Sequence, residues 1–139
     1  MRPDGTALDR RTGLIWQRCP LGTVLDDGGT PQAFEDDRCL PSAGTPQALT
    51  WNAALAAARQ LDEGTGFAGH SDWRVPGQNE LLSVIEARWR EPRTVGRVFP
   101  VTPPDAFLAS TVYSAVETFS WEAHARRGGS PAIRVRLVR

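Results

Sequence analysis

Three sets of side chains in this 139-residue chain could do chemistry. The first is His70, Ser71 and Asp72, which sit together in Gly69-His70-Ser71-Asp72-Trp73-Arg74-Val75-Pro76 and are the residue types of a nucleophilic triad. Neighbours in an extended chain point to opposite faces, however, and a triad needs convergence in space rather than adjacency in sequence. The stretch reads better as structure: Asp72 bonding backbone amides at the entry to the next helix, His70 in a turn, Trp73 buried and Arg74 paired with a carboxylate. The second set is metal-like. Zinc would have to draw on His70, His124, Cys19 and Cys39, and no pair among them has the short spacing of a zinc site. Asp26, Asp27, Glu35, Asp36 and Asp37 offer the hard oxygens that calcium prefers, but without EF-hand alternation, so a solvated loop is expected. There is no glycine-rich phosphate loop, nucleophile elbow or paired-carboxylate site. No catalytic residue, metal or cofactor is expected.

The third set is the arginines. All 16 basic residues are Arg, balanced by 16 acids, but residues 1–85 hold 7 Arg against 11 acids and residues 86–139 hold 9 against 5. Arg grips sulfate, phosphate or carboxylate with two parallel hydrogen bonds, which Lys cannot do. Arg88, Arg90, Arg93 and Arg97 surround the end of the second expected helix, Arg126 and Arg127 precede a Gly-Gly turn, and Arg134, Arg136 and Arg139 are expected along one side of the last strand. Joined, they would form a patch for sulfated or carboxylated glycans, with Trp121 stacking on a sugar ring. The plainer reading makes them surface ions paired with Glu86, Glu91, Glu117 and Glu122, with Trp121 in the core. Zero net charge argues against nucleic acid as the partner.

These groups need a frame. The length suits one domain with a real core, and no apolar run approaches the ~20 residues that span a bilayer. Asp4-Gly5 and Thr12-Gly13 are turn signals around short strands, of which Leu14-Ile15-Trp16 is the buried one. Residues 20–48 read as one long loop. The two cysteines, Cys19 and Cys39, bracket its Gly/Pro/Asp-rich first part and suggest one disulfide worth ~3 kcal/mol, which implies an oxidising compartment. Two free thiols in a cytosolic protein are the alternative. Thr50 caps a helix whose apolar stripe is Trp51, Ala54, Leu55, Ala58 and Leu61, stopped by Gly64 and Gly66. A second helix starts after Pro76-Gly77 with Glu80 in its first turn and Leu81, Leu82, Ile85 and Trp89 as its buried stripe, and ends at Pro92. Beyond it lie loops at Phe99-Pro100 and Pro103-Pro104. Strands follow at Phe107 to Tyr113, Phe119 to Ala125 and Ile133 to Val138, the last with one buried face and one cationic face. The layout is α+β, with the first and final strands placed to pair.

The pieces in order resemble the Lcl C-terminal domain family, the globular end of a Legionella collagen-like adhesin. The resemblance rests on Asp9-Arg10-Arg11-Thr12-Gly13-Leu14-Ile15-Trp16, Arg18-Cys19-Pro20-Leu21-Gly22 with the later Cys39, Leu49-Thr50-Trp51-Asn52-Ala53-Ala54 and Phe67 to Pro76 with Glu80-Leu81. It extends to Val98-Phe99-Pro100, Ser110-Thr111-Val112-Tyr113 and Val135-Arg136-Leu137-Val138-Arg139. It implies a C-type-lectin-like fold: two helices on small antiparallel sheets, paired N- and C-terminal strands and a loop-rich ligand-facing half. Trp16, Trp51, His70, Asp72, Trp73 and Arg74 would be its structural motif. It also implies an exported setting, since the founding adhesin binds sulfated polysaccharides through a trimeric domain. The chain departs from the family in the short Ser114-Ala115-Val116-Glu117 stretch and in Phe107-Leu108-Ala109, where a Trp usually stands, and both departures fall in the half that would carry ligand contacts. The formylglycine-generating enzymes share the broad architecture but place copper-binding cysteines late, whereas both cysteines here are early.

The reading is a single domain, residues 1–139, from a longer exported protein of periplasm, cell surface or medium, whose signal peptide would lie upstream. Its expected function is non-enzymatic binding or adhesion. The expected partner is an anionic polysaccharide or a surface protein, with homo-oligomer formation open and no membrane insertion. The ligand residues would be Arg88, Arg90, Arg93, Trp121, Arg126, Arg127, Arg134 and Arg136. The alternatives are a structural or oligomerising domain of an envelope protein and, third, an oxidase like the formylglycine generators.

Overall fold

The computed structural model describes residues 1–30, 34–44, 48–90, 97–100, 110, 112–114, 117–119, 125–127 and 134–139. Within them the order is two hairpins, two helices and a three-stranded antiparallel sheet. β1 (Thr6–Leu8) pairs with β2 (Ile15–Gln17), placing Ala7 opposite Trp16. Asp9 organises the turn between them. Its carboxylate accepts from the Arg11 amide at 2.9 Å and the Thr12 hydroxyl at 2.7 Å, while its carbonyl takes the Gly13 amide. Partial burial works to raise the Asp9 pKa, and these bonds together with the Arg11 charge outweigh it, leaving the group below its ordinary 3.8.

The stretch 20–48 is not one loop. It contains a second hairpin, β3 (Thr23–Asp26) with β4 (Arg38–Pro41), in which Leu25 faces Cys39 and Val24 faces Leu40. The dense Gly, Pro and Asp of this segment hid Thr-Val-Leu, a short run of good strand formers. Cys19 and Cys39 are bridged, with Cα atoms 5.6 Å apart, so β4 is tied to the chain leaving β2.

α1 (Trp51–Glu63) begins where the sequence places it, with the Thr50 hydroxyl accepting from the Ala53 amide. Ala54 and Ala58 are its buried residues, and their small side chains let the helix pack closely on Trp73, Val75, Val135 and Leu137. α2 (Gln78–Arg90) presents Leu81 and Val84 to the core, with Leu82 half-buried. Val84 was not in the expected stripe. The side chains of Ile85 and Trp89, and the expected stop at Pro92, lie outside the described residues.

The C-terminal segment 134–139 sits in the middle of the molecule. On one edge Ile15 exchanges backbone hydrogen bonds with Arg139 at 3.0 and 2.9 Å, and Gln17 donates to Leu137. On the other edge Arg74 and Val138 exchange a pair of bonds, both 2.9 Å. The C-terminal segment thus pairs with β2 as expected, though through isolated bridges rather than as a strand. Alternation sends Val138 into a cluster with Trp16, Leu81, Val84 and Phe99, and sends Val135 and Leu137 into a second cluster with Ala54, Ala58, Trp73 and Val75. A strand covered on both faces has no solvent side. The expected cationic face is thus corrected: Arg136 is 1% exposed.

β5 (Val112–Ser114), β6 (Glu117–Phe119) and β7 (Ala125–Arg127) form the late antiparallel sheet in that order. The expected strand from Phe107 to Tyr113 is observed only as β5; Ser110 is a bend whose amide donates to the Pro76 carbonyl at 2.8 Å, and residues 107–109 and 111 lie outside the described ones. The expected strand from Phe119 to Ala125 is corrected, because Phe119 ends β6 and Ala125 opens β7.

Reducing the Cys19–Cys39 bridge is expected to lower unfolding free energy by ~3 kcal/mol. Urea midpoints with and without reductant measure this, and coincident curves would mean that packing alone holds the second hairpin.

Candidate functional site

The motif that dominates the sequence builds a joint. Phe67 and His70 exchange backbone bonds at 2.9 and 3.0 Å across Ala68 (φ 53) and Gly69 (φ 77), both left-handed, as in a tight type I′ turn. Gly66 (φ 66) is required here, because a Cβ would strike the His70 carbonyl. Trp73 is buried at 1% exposure, its indole N–H donating to the Phe67 carbonyl at 2.9 Å and its amide to the Asp62 carboxylate. Arg74 forks onto Glu80 with bonds of 2.7 and 2.5 Å, and Glu80 also accepts the Gly77 amide at 2.7 Å. Glu80 is therefore the carboxylate that caps the helix entry. The expected role of Asp72 is corrected: it pairs at 2.7 Å with Arg139, tying the loop to the C-terminus. Nothing in this joint brings Ser71, His70 and Asp72 together as a triad.

The unusual chemistry lies under the core. Arg18 is 1% exposed and in ion-pair contact with Asp37, whose side chain is equally buried. Oδ2 of Asp37 has no aligned hydrogen-bond donor among the described residues, so this contact acts through charge. Arg18 spends its hydrogen bonds elsewhere, Nε on the Val98 carbonyl and Nη2 on the Arg97 carbonyl, both at 3.1 Å. It also lies 5.3 Å from the Phe34 ring centre. Arg136 stacks 4.2 Å from the centre of Phe99. Burial, with the Arg18 charge acting in the same direction, pushes Arg136 down to about 9, which leaves it charged at neutral pH. Arg18 and Arg136 thus both hold segment 97–99, one through two carbonyls and the other through the Phe99 ring, and Asp37 neutralises Arg18.

Of the expected ligand residues, only the side chains of Arg134 and Arg136 fall within the described part. Arg136 is inside, and Arg134 is half-buried. Arg139 has the opposite parity along the strand and is paired with Asp72, so the three do not line one side. Arg97 is exposed and pairs at 3.3 Å with Glu35. Arg88 and Arg90 belong to the last turn of α2 and Arg126 and Arg127 to β7, their side chains outside the described part. Arg93 and Trp121 lie wholly outside it. Among the described residues no cluster of His, Cys, Asp and Glu could hold a metal. The Arg18–Asp37 pair was missed by reading positions singly. Its signal was the flanking of the cystine: Arg18 precedes Cys19, and Asp37 stands two residues before Cys39.

The family model of the Lcl C-terminal domain matches residues 5–139. The chain belongs to that family. No curated protein sequence matches it. As a Lcl C-terminal domain it carries the Trp16, Trp73 and Arg74–Glu80 framework and the Cys19–Cys39 bridge, and no helix among the described residues is long and apolar enough to cross a membrane.

Removing one partner of a buried pair strands the other charge, so Asp37→Ala is expected to cost ~3–5 kcal/mol in unfolding free energy, read by urea denaturation. The Arg74 bond, partly opposed by burial and aided by the Gly77 amide, holds Glu80 below its ordinary 4.5. Its stabilisation is complete above pH 4.5 and is lost as pH falls through the lower folded value. Acid unfolding of Glu80→Gln should therefore show a flatter loss of stability below pH 4.5 than the parent protein.

Proposed function

We propose that this chain is a non-enzymatic, exported binding module of C-type-lectin-like architecture that engages anionic, sulfated glycans through its arginine-rich C-terminal half. The observation that carries this is the charge asymmetry within a Lcl C-terminal domain: 9 Arg against 5 acids after residue 85. Arg88, Arg90, Arg93, Arg126, Arg127 and Arg134 are the contacts proposed, with Trp121 as the sugar-stacking surface. Arg136 is left out, because a guanidinium at 1% exposure cannot reach a polymer. The disulfide supports an oxidising location outside the cytosol, and segments 15–17 and 134–139, joined edge to edge, support the lectin-like topology. Both cysteines are consumed in that bridge, which speaks against the copper-thiolate chemistry of the formylglycine generators.

A second reading, a structural or oligomerising domain of an envelope protein, has one observation in its favour. Val24 and Leu40 face each other across β3–β4 and are 53% and 44% exposed, an apolar pair that a partner could cover.

Passage over immobilised heparin separates the two. Retention at low ionic strength that weakens steeply with salt, and is lost in the Arg126→Glu/Arg127→Glu variant, is the expected result. Flow-through at low salt with a stable oligomer in sedimentation would favour the second reading.

A further inference from the structure

Between the N-terminal turn, the start of β3 and the end of α1 lies an open cleft of about 500 Å³, inside the roughly 300–1,000 Å³ range of small-molecule sites. Leu21, Leu25, Leu61 and Phe67 supply apolar wall, and Asp4, Asp27 and Gln17 supply polar groups. No arginine occurs among the described residues that line it, in a chain with 16. Whatever sign of charge the rest of the molecule favours, this cleft is acidic.

Three features mark it as a built site. Its walls are fixed: Cys19 in the lining is bridged to Cys39, Leu21 donates its amide to Val135 at 2.8 Å, and the Thr23 hydroxyl donates to the Pro20 carbonyl at 2.6 Å. Gly5 (φ +81) lets the Phe67 ring close on the backbone, since a Cβ there would come within 3.2 Å of the ring. Most telling is Gln17. It is 5% exposed and lines the cleft, yet its side-chain amide has no hydrogen-bond partner among the described residues. Its amide is not among the polar atoms closed off from solvent, so it stands open to whatever fills the cleft. Asp4 and Asp27 each commit one oxygen, Oδ1, to the Thr6 amide and hydroxyl and to the Gly29 amide. No described group bonds the second oxygen of either.

We propose that this cleft binds a small organic cation, its apolar body against Leu25, Leu61 and Phe67, its ammonium toward Asp4 and Asp27, and a polar group meeting the Gln17 amide. An ammonium supplies donors and positive charge to the two carboxylates, each of which keeps one oxygen uncommitted among the described residues. The site is independent of the glycan surface, which has the opposite sign and lies in the other half of the sequence.

Saturation-transfer NMR titration of the oxidised protein with phenethylamine, phenethyl alcohol and phenylpropionate tests this. The amine is expected to bind about threefold to fivefold more tightly than the alcohol, the size of one partly exposed ion pair, and the carboxylate weakest. The Asp4→Asn/Asp27→Asn variant keeps an acceptor oxygen at both turns. It should erase the amine's advantage while leaving the alcohol's affinity and heparin retention unchanged. Leu25→Trp, which fills the cleft, should abolish binding of both while the far-UV dichroism and heparin retention stay unchanged. Carboxylate binding equal to that of the amine, no probe bound at ~10 mM, or an amine advantage that survives the double Asn variant would overturn the proposal. Loss of heparin retention alone would bear only on the glycan reading.

Discussion

The C-terminal segment is bonded along both edges and covered on both faces, and most other features follow from that. Its two edges fix β2 and the Arg74 segment in register, so the start, middle and end of the chain meet at Trp16, Arg74 and Val138. Its two faces divide the core into the α2 side and the α1 side. A strand in this position must bury whatever it carries. At Val135, Leu137 and Val138 that is favourable, at ~1.5–3 kcal/mol per side chain before entropy. At Arg136 it is costly, and the Phe99 ring beneath the guanidinium offsets part of that cost.

The second hairpin depends on a different device. β3 and β4 form their own two-stranded sheet, and two-stranded ribbons are marginal in water. A covalent bridge at Cys39 and a buried ion pair at Asp37 join β4 to two consecutive residues, Arg18 and Cys19, of the chain leaving β2. Arg18 then reaches on to the carbonyls of Arg97 and Val98. One side chain thus couples the hairpin, the first sheet and the segment that delivers Phe99 to the core. The same clasp shapes the acidic cleft, whose wall includes Cys19.

Much of this was legible beforehand because it is local. Thr50 as cap, the Ala54–Ala58 face, Glu80 at the helix start and a buried Trp73 all follow from spacing and side-chain type within a few residues. The disulfide was legible because two cysteines leave one pairing. The β3–β4 hairpin was not, since Gly28, Gly29 and Pro31 dominate the composition around three strand residues. Proximity in sequence favours Asp72 for the helix entry. In space Glu80 reaches back to Arg74 and Gly77, and Asp72 is free to meet Arg139.

The arginines show where sequence stops. Their number, their bias toward the C-terminal half and the alternation of Arg134 and Arg136 with Val135, Leu137 and Val138 are properties of the chain itself. So are the helices, the turn glycines and the pairing of Cys19 with Cys39. Whether an arginine faces water depends on what is stacked over its strand, and that is a property of the assembled layers. Only the tertiary structure placed Arg136 inside, set Arg18 against Asp37 and gathered Asp4, Gln17 and Asp27 around one cleft. Alternation assigns residues to two faces, but it carries no information about which face another part of the chain will cover.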